Sequence, residues 1–293
     1  NNMIENDFPE KLLYYSKIDK YCVDLILKNT FAITDPTRGF NDPFDCFFEF
    51  EFVRLQKEDL VDQLKGLFIV ENYIEKGKTL PDLSEEDSNE INKYRNELTC
   101  CTEEILKQRL SEYATKEVRS FLSKHLRIRS FSAQTVDRTL NNIMFSHYGD
   151  SHKGLCYIFD SKKLIPDELI NSLIKVDYLP VPALVEYKLP DKYSDEELEQ
   201  IGRNMVKIKY KEWEYENEWR LRINLANPSK NINEIWKFEP DALEGIVLGL
   251  KTTKEDEKRI KKLAEKRQAK VNIYKAERRY GSFYLDYEKN KIN

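Results

Sequence analysis

The hydrophobic pattern of this chain changes period twice along its length. Residues 11–52 read as short mixed elements. KLLYYS (11–16) has the apolar run of a strand, and TFAIT (30–34) reads as another, stopped at Pro36. Between them, Ile18, Cys22, Leu25 and Ile26 recur at helical spacing, with Asp19 placed as an N-cap. TRGFNDPFD (37–45) is turn chemistry throughout, and CFFEFEF (46–52) reads as extended. From about 55 to 126 the apolar positions recur every three to four residues in a Lys- and Glu-rich background, which predicts a run of helices. Strands return from 127. RIRSFSA (127–133) runs into a turn, a short helix is predicted through NNIMFSH, and LCYIFD (155–160) is apolar on both faces. LIKVDYL and ALVEYK are further extended pieces. A helix is predicted over DEELEQIGRNMVKIKYKEW (195–213), then a strand over WEYENEWRLRI (213–223). EGIVLGL, TKEDEKRIKKLAEKRQ and VNIYKAE form a β-α-β ending. The fold class is α+β: one domain over residues 1–293, with a mixed sheet core and a helical insertion at about 55–126.

Composition narrows the function classes. The hydrophobic fraction is 40%, with 17 tyrosines and 15 phenylalanines, which argues for a packed core and against disorder. The formal net charge is −4, from 48 basic and 52 acidic side chains. That balance speaks against a nucleic-acid coat or a polybasic membrane binder. No apolar run approaches the roughly 20 residues of a membrane helix, and the start has no basic segment followed by an apolar one. Five cysteines, none in a C-x-x-C pair, point to a reducing cytoplasm. No metal site is expected.

Candidate chemistry sits in four places. In WEYENEWRLRI, Glu214, Glu216, Glu218, Arg220 and Arg222 share one face of a strand. The plain interpretation is a solvated face of cross-strand pairs. The chemical one is a pair, Glu216 and Glu218, about 7 Å apart on one side of the strand. One carboxylate can then grip a sugar hydroxyl while the other takes a proton from an attacking group. MFSHYGDSHKG (144–154) offers His147, Asp150 and His152, as polar contacts at a pocket mouth or as ordinary loop structure turned by Gly149 and Gly154. GFNDPFD (39–45) places Asn41, Asp42 and Asp45 on a pocket rim, or else braces a loop through Phe40 and Phe44. In SFSA (130–133), Ser132 can donate to a phosphate or ribose, and Ser130 lies on the same face.

These pieces occur together in an order. FNDPFD, FS…MFSHYGDSHKGLC and W-x-Y-E-x-E-W-R resemble the bacterial family called domain of unknown function 2971 (DUF2971), over roughly residues 12–250. The chain departs from that pattern at Phe145, where the family usually has Trp, and at Leu13-Tyr14. The family resemblance implies a relation to abortive-infection genes of phage defence. The order of aromatic strand, helix, Ser-ended strand and Glu-x-Glu strand is also similar to that of ADP-ribosyltransferases. That likeness implies a strongly bent sheet and an NAD cleft, with NAD as substrate. Glu218 would be the catalytic carboxylate and Glu216 would orient or deprotonate the acceptor. Tyr15 or Tyr14 would stack on nicotinamide and Ser132 would contact the ribose, with Asn41, Asp42 and His147 on the rim.

The leading expectation is therefore an NAD-dependent ADP-ribosyltransferase-like effector, a toxin in antiphage defence. It would act on a macromolecular acceptor or meet a defence partner through the helical insertion, away from any membrane. Two alternatives stay open. One is a non-catalytic defence module that binds a partner protein or nucleotide. The other is a metal-dependent nuclease using Asp42, Asp45, Glu216, Glu218 and His147.

Overall fold

The computed structural model describes residues 8–39, 42, 44–46, 48–134, 138–187 and 194–292. The fold is mixed α and β. Among the described residues the principal sheet has nine strands and does not close. We number them β1 (Lys11–Ser16), β2 (Thr30–Thr34), β3 (Leu126–Ala133), β4 (Leu155–Asp160), β5 (Leu173–Lys175), β6 (Glu218–Asn224), β7 (Asn233–Lys237), β8 (Leu243–Leu248) and β9 (Asn272–Lys275). The order is β7-β2-β3-β1-β4-β8-β9, with β6 pairing both β3 and β5. All pairs are antiparallel except β8 with β9, which flank the helix Lys254–Glu265. That helix starts at Thr253, whose hydroxyl accepts from the Asp256 N–H.

Alternation along β1 sorts the two faces of this sheet. Leu12 joins a core with Phe31, Phe131, Phe159, Trp219 and Leu221. Leu13 and Tyr15 point the other way, into a second cluster with Phe145, Cys156, Ile158 and Val247. Strand β4 lies between β1 and β8 and is covered on both faces, which is why its sequence is apolar throughout.

By contacts the chain divides into two compact units. The first takes in residues up to Cys46, Ser123–Val181 and Val206 onward, and holds the nine-stranded sheet. The second is Phe47–Leu122 with Pro182–Met205. In it the helices Lys57–Ile69, Glu85–Thr99 and Glu103–His125 contribute apolar stripes to a core of Leu60, Leu64, Leu98, Leu106 and Leu110. Ser84 and Asp87 cap the second of these helices reciprocally. The helical stretch also recruits a distant segment: Ala183–Glu186 pairs in parallel with Phe48–Glu51, and Tyr187 packs on the core. Among the described residues, no helix is long and apolar enough to cross a membrane.

Three local expectations are corrected. The helix beginning at Asp195 stops at Lys207, and Ile208–Tyr210 is a strand parallel to Asp177–Leu179. The helix expected over 18–29 is one α turn, Tyr21–Val23, followed by a π turn, Asp24–Lys28. The glutamate ladder is not one strand. Lys211–Glu216 is a 3-10 turn, Asn217 is left-handed (φ 45, ψ 52), and β6 begins only at Glu218. Alternation of acids cannot distinguish a tight turn from a strand. The asparagine, tolerant of positive φ, is what permits the turn.

Candidate active site

The cleft arises from a fork in the sheet. One margin of β3 is paired with β6 along 126–132. The other margin meets β1 at Ser132 and Ala133, and β2 at Ile128. Residues 129–131 lie between those two contacts, where β1 and β2 diverge. A cavity of about 250 Å³ opens there, lined by all three strands, by Gly39, Asp42 and Asp45, and by Tyr148, Lys209, Trp213, Glu216 and Glu218. Arg129 reaches across the fork, donating from Nη1 to the Ala32 carbonyl at 3.1 Å.

One row across the sheet sets the acidic end: Leu13 faces Ser132, and Ser132 faces Glu218. Glu216 arrives from the 3-10 turn, and both carboxylates are buried, 4% and 3% exposed. Lys209 Nζ lies 2.5 Å from Glu216 Oε2, 2.9 Å from Glu218 Oε2 and 3.5 Å from Asp45 Oδ2. Arg220, fully buried, grips Glu218 with Nε at 2.7 Å and Nη2 at 3.1 Å. Its Nη2 also donates to Asp45 Oδ1 at 2.7 Å, and its Nη1 to the Val206 carbonyl at 2.9 Å. Tyr148 Oη donates to Glu216 Oε1 at 2.6 Å, and the Glu218 N–H donates to Tyr178 Oη at 2.8 Å.

The two glutamates are driven apart electrostatically. Burial pushes Glu218 up, but Arg220 and Lys209 outweigh it and hold its carboxyl well below the usual range. Burial pushes Glu216 up, Glu218 adds to this, and Lys209 only partly opposes it, so Glu216 ends raised. Burial would lower Lys209, but Glu218, Asp45 and Glu216 overcome this and keep it charged. Tyr148, raised by burial and by Glu216, stays a neutral donor.

The sequence-derived residues fall as follows. Tyr14, Tyr15, Asp42, Ser132, Glu216 and Glu218 all line the cavity. Asn41 lies outside the described residues. His147 is not on the wall. It is exposed at the end of the helix Asn142–His147, its ring near those of Trp213 and Tyr215. The tyrosine stacking role needs correction. Tyr15 is 5% exposed, and its ring meets Phe145 edge-on in the core. The Tyr14 ring carries Arg129 at 3.7 Å and stacks with Tyr157 at 5.8 Å. Half-buried Trp213 also lines the cavity, with Lys209 Nζ 5.3 Å from its ring centroid.

Sequence reasoning missed Lys209, Tyr148, Arg129 and Tyr178. Lys209 had a signal: it is the charged centre of an Ile-Lys-Tyr strand, but that strand was hidden inside an expected helix. His152 proves to be a brace. Its ring stacks on Phe145 and its Nε2 lies 3.0 Å from Ser146 Oγ. It ends three successive left-handed residues, Asp150, Ser151 and His152 (φ 49, 53 and 71). The backbone there packs so closely that a Cβ at Gly154 would strike the Ser16 carbonyl oxygen.

Among the described residues, no group of three or more His, Cys, Asp and Glu is placed to hold a metal ion. Asp45, Glu216 and Glu218 do converge, but Lys209 and Arg220 occupy the oxygens an ion would need.

The part of the chain that supplies most of these contacts also matches known sequences. A family model described as "Protein of unknown function (DUF2971)" matches residues 144–221. Over that stretch the chain resembles DUF2971. The DUF2971-like segment contains Tyr148, Lys209, Trp213, Glu216, Glu218 and Arg220, and leaves out Tyr14, Asp45, Arg129 and Ser132. No curated protein and no solved structure matches the chain.

Proposed function

We propose that the cleft binds NAD and transfers its ADP-ribosyl group. The observation that carries this reading is the pairing of two buried carboxylates in one cavity, Glu218 fixed at both oxygens by Arg220 and Lys209 and Glu216 turned toward the Tyr148 hydroxyl. Cleavage of the nicotinamide–ribose bond builds positive charge on the sugar, and a fixed, buried carboxylate stabilises it. Glu218 has that role, with Ser132 beside it for a ribose hydroxyl. Glu216 takes the acceptor's proton. Trp213 offers its ring to nicotinamide. Arg129 suits the diphosphate. Among the described residues, no carboxylate lies within ion-pair distance of it, so the cleft has a cationic end as well as an acidic one. The setting, a toxin-like effector in antiphage defence, rests on the family resemblance alone. The helical unit is the proposed surface for an acceptor or partner.

A second reading has its own observation. Glu218 is already held at both oxygens by Arg220 and Lys209, as a structural brace would be. In that case the cleft binds a nucleotide without chemistry. Incubation with labelled NAD, with and without cell lysate, separates the two. Transfer predicts nicotinamide release and label on an acceptor, both reduced at least about 100-fold by Glu218→Gln at a temperature where the variant is folded. NAD binding without release would support the non-catalytic module.

A further inference from the structure

Five ionisable groups meet at the buried end of the cleft: Asp45, Glu216 and Glu218 against Lys209 and Arg220. A low-dielectric site resists a net charge. Arg220 and Lys209 neutralise two of the three carboxylates. Arg220 is committed to Glu218 and Asp45, while Lys209 makes its shortest contact to Glu216. The third negative charge stays on Glu216 at rest, where both oxygens accept hydrogen bonds, and is cancelled only when that carboxylate takes up a proton. Glu216 is the member with an oxygen turned to a neutral donor, Tyr148. Tyr148 is also the member of this chain of contacts that lines the cavity from a separate element, just past the helix Asn142–His147.

We propose that Tyr148, Glu216 and Lys209 form one proton relay, with Tyr148 at the acceptor, Glu216 holding the proton, and Lys209 positioning the Glu216 carboxylate. The relay takes its chemistry from the transferase reading and its geometry from contacts of 2.6 Å and 2.5 Å on the two oxygens of Glu216. As an acceptor O–H or N–H attacks ribose C1′, the new bond forms there and the C1′–N bond breaks, its electron pair leaving with nicotinamide. The acceptor's proton passes to Tyr148 Oη while the Tyr148 proton passes to Glu216 Oε1. Tyrosine ends as it began, neutral throughout, and Glu216 later releases the proton to solvent. The other groups facing Glu216 are Glu218 and Arg220 from β6, Asp45 from its turn, and the Tyr215 and Tyr178 phenols. They are common to every variant compared below.

The test is an infrared pH titration of the full chain labelled with ¹³C-glutamate, the Glu216 signal being the one lost in Glu216→Gln. Tyr148→Phe removes a donor to the carboxylate and Lys209→Met removes its cation. Each should move the Glu216 titration to higher pH, and Lys209→Arg should bring it back toward wild type. In parallel, labelled-NAD assays across pH should show Tyr148→Phe slowing transfer at least about 100-fold with KM for NAD unchanged. The acid limb of the Lys209→Met profile should move with the titration. A Glu216 titration unmoved by both variants, or transfer by Tyr148→Phe at the wild-type rate, overturns the relay. If the wild type releases no nicotinamide, the NAD reading falls while the titration still decides whether the proton is shared. If Lys209→Met does not fold, Tyr148→Phe and Lys209→Arg carry the comparison.

Discussion

Glu214, Glu216 and Glu218 are three residues of one type spaced by two, and they end in different surroundings. Glu214 is exposed, whereas Glu216 and Glu218 are buried among cations. Glu218→Gln removes one partner of a buried pair and should cost about 3–5 kcal/mol. Glu214→Gln should stay within about 0.5 kcal/mol. Urea denaturation of the two variants checks this, and equal small effects would mean that the buried network carries little stability. The two buried glutamates also oppose each other in pH. Glu218 titrates lower in the folded state than its unfolded value of about 4.3. Its stabilisation is therefore complete above that pH and is lost as the pH falls below it. Glu216 is raised, so its contribution is complete below about 4.3 and fades as the pH rises through its folded value. Glu216→Gln should gain on wild type as the pH rises above about 4.3, seen as a growing difference in urea midpoints.

At the scale of elements, the site depends on a turn that swings one glutamate inward just before a strand aims the next. Asn217 makes the junction: its N–H donates to the Glu214 carbonyl, its carbonyl accepts from the Ala133 N–H, and its side-chain amide donates to the Ala133 carbonyl. Asn217→Gly should be tolerated. Asn217→Val, β-branched at positive φ, should destabilise by about 1–3 kcal/mol and lower activity by misaligning Glu216 with Glu218, as thermal melts and NAD assays would read. Such junctions mark the limit of what the sequence discloses. β1, β2, β3, β4 and the β-α-β ending are legible because their apolar runs are long and bounded by turn residues. Ser132, Glu216 and Glu218 are legible as a constellation because their residue types suit one chemistry. Lys209 and Tyr148 are not. Each is polar only at its tip, sits in a stretch that reads as helix or loop, and gains its meaning from a partner on another element, Glu216 and Glu218 for Lys209 and Glu216 for Tyr148.

At the scale of the molecule, the helical unit is built from two separated stretches of chain. Excising residues 55–122 alone would uncover Tyr187, which packs on their core and is 8% exposed. The product should bind a hydrophobic dye and lose the wild-type thermal transition. An unchanged melt would show that Pro182–Met205 can stand without its partner. The forked sheet has a consequence of a different kind. A strand stitched along one margin and unstitched over three residues on the other has rungs missing from the middle of its ladder. The amides of β3 that point into that gap should exchange with solvent faster than those facing β6, in a region otherwise among the most protected of the fold. A molecule seated between β1 and β2 would act as the missing rungs, so its arrival should register first as slowed exchange at residues 129–131, before any product is made.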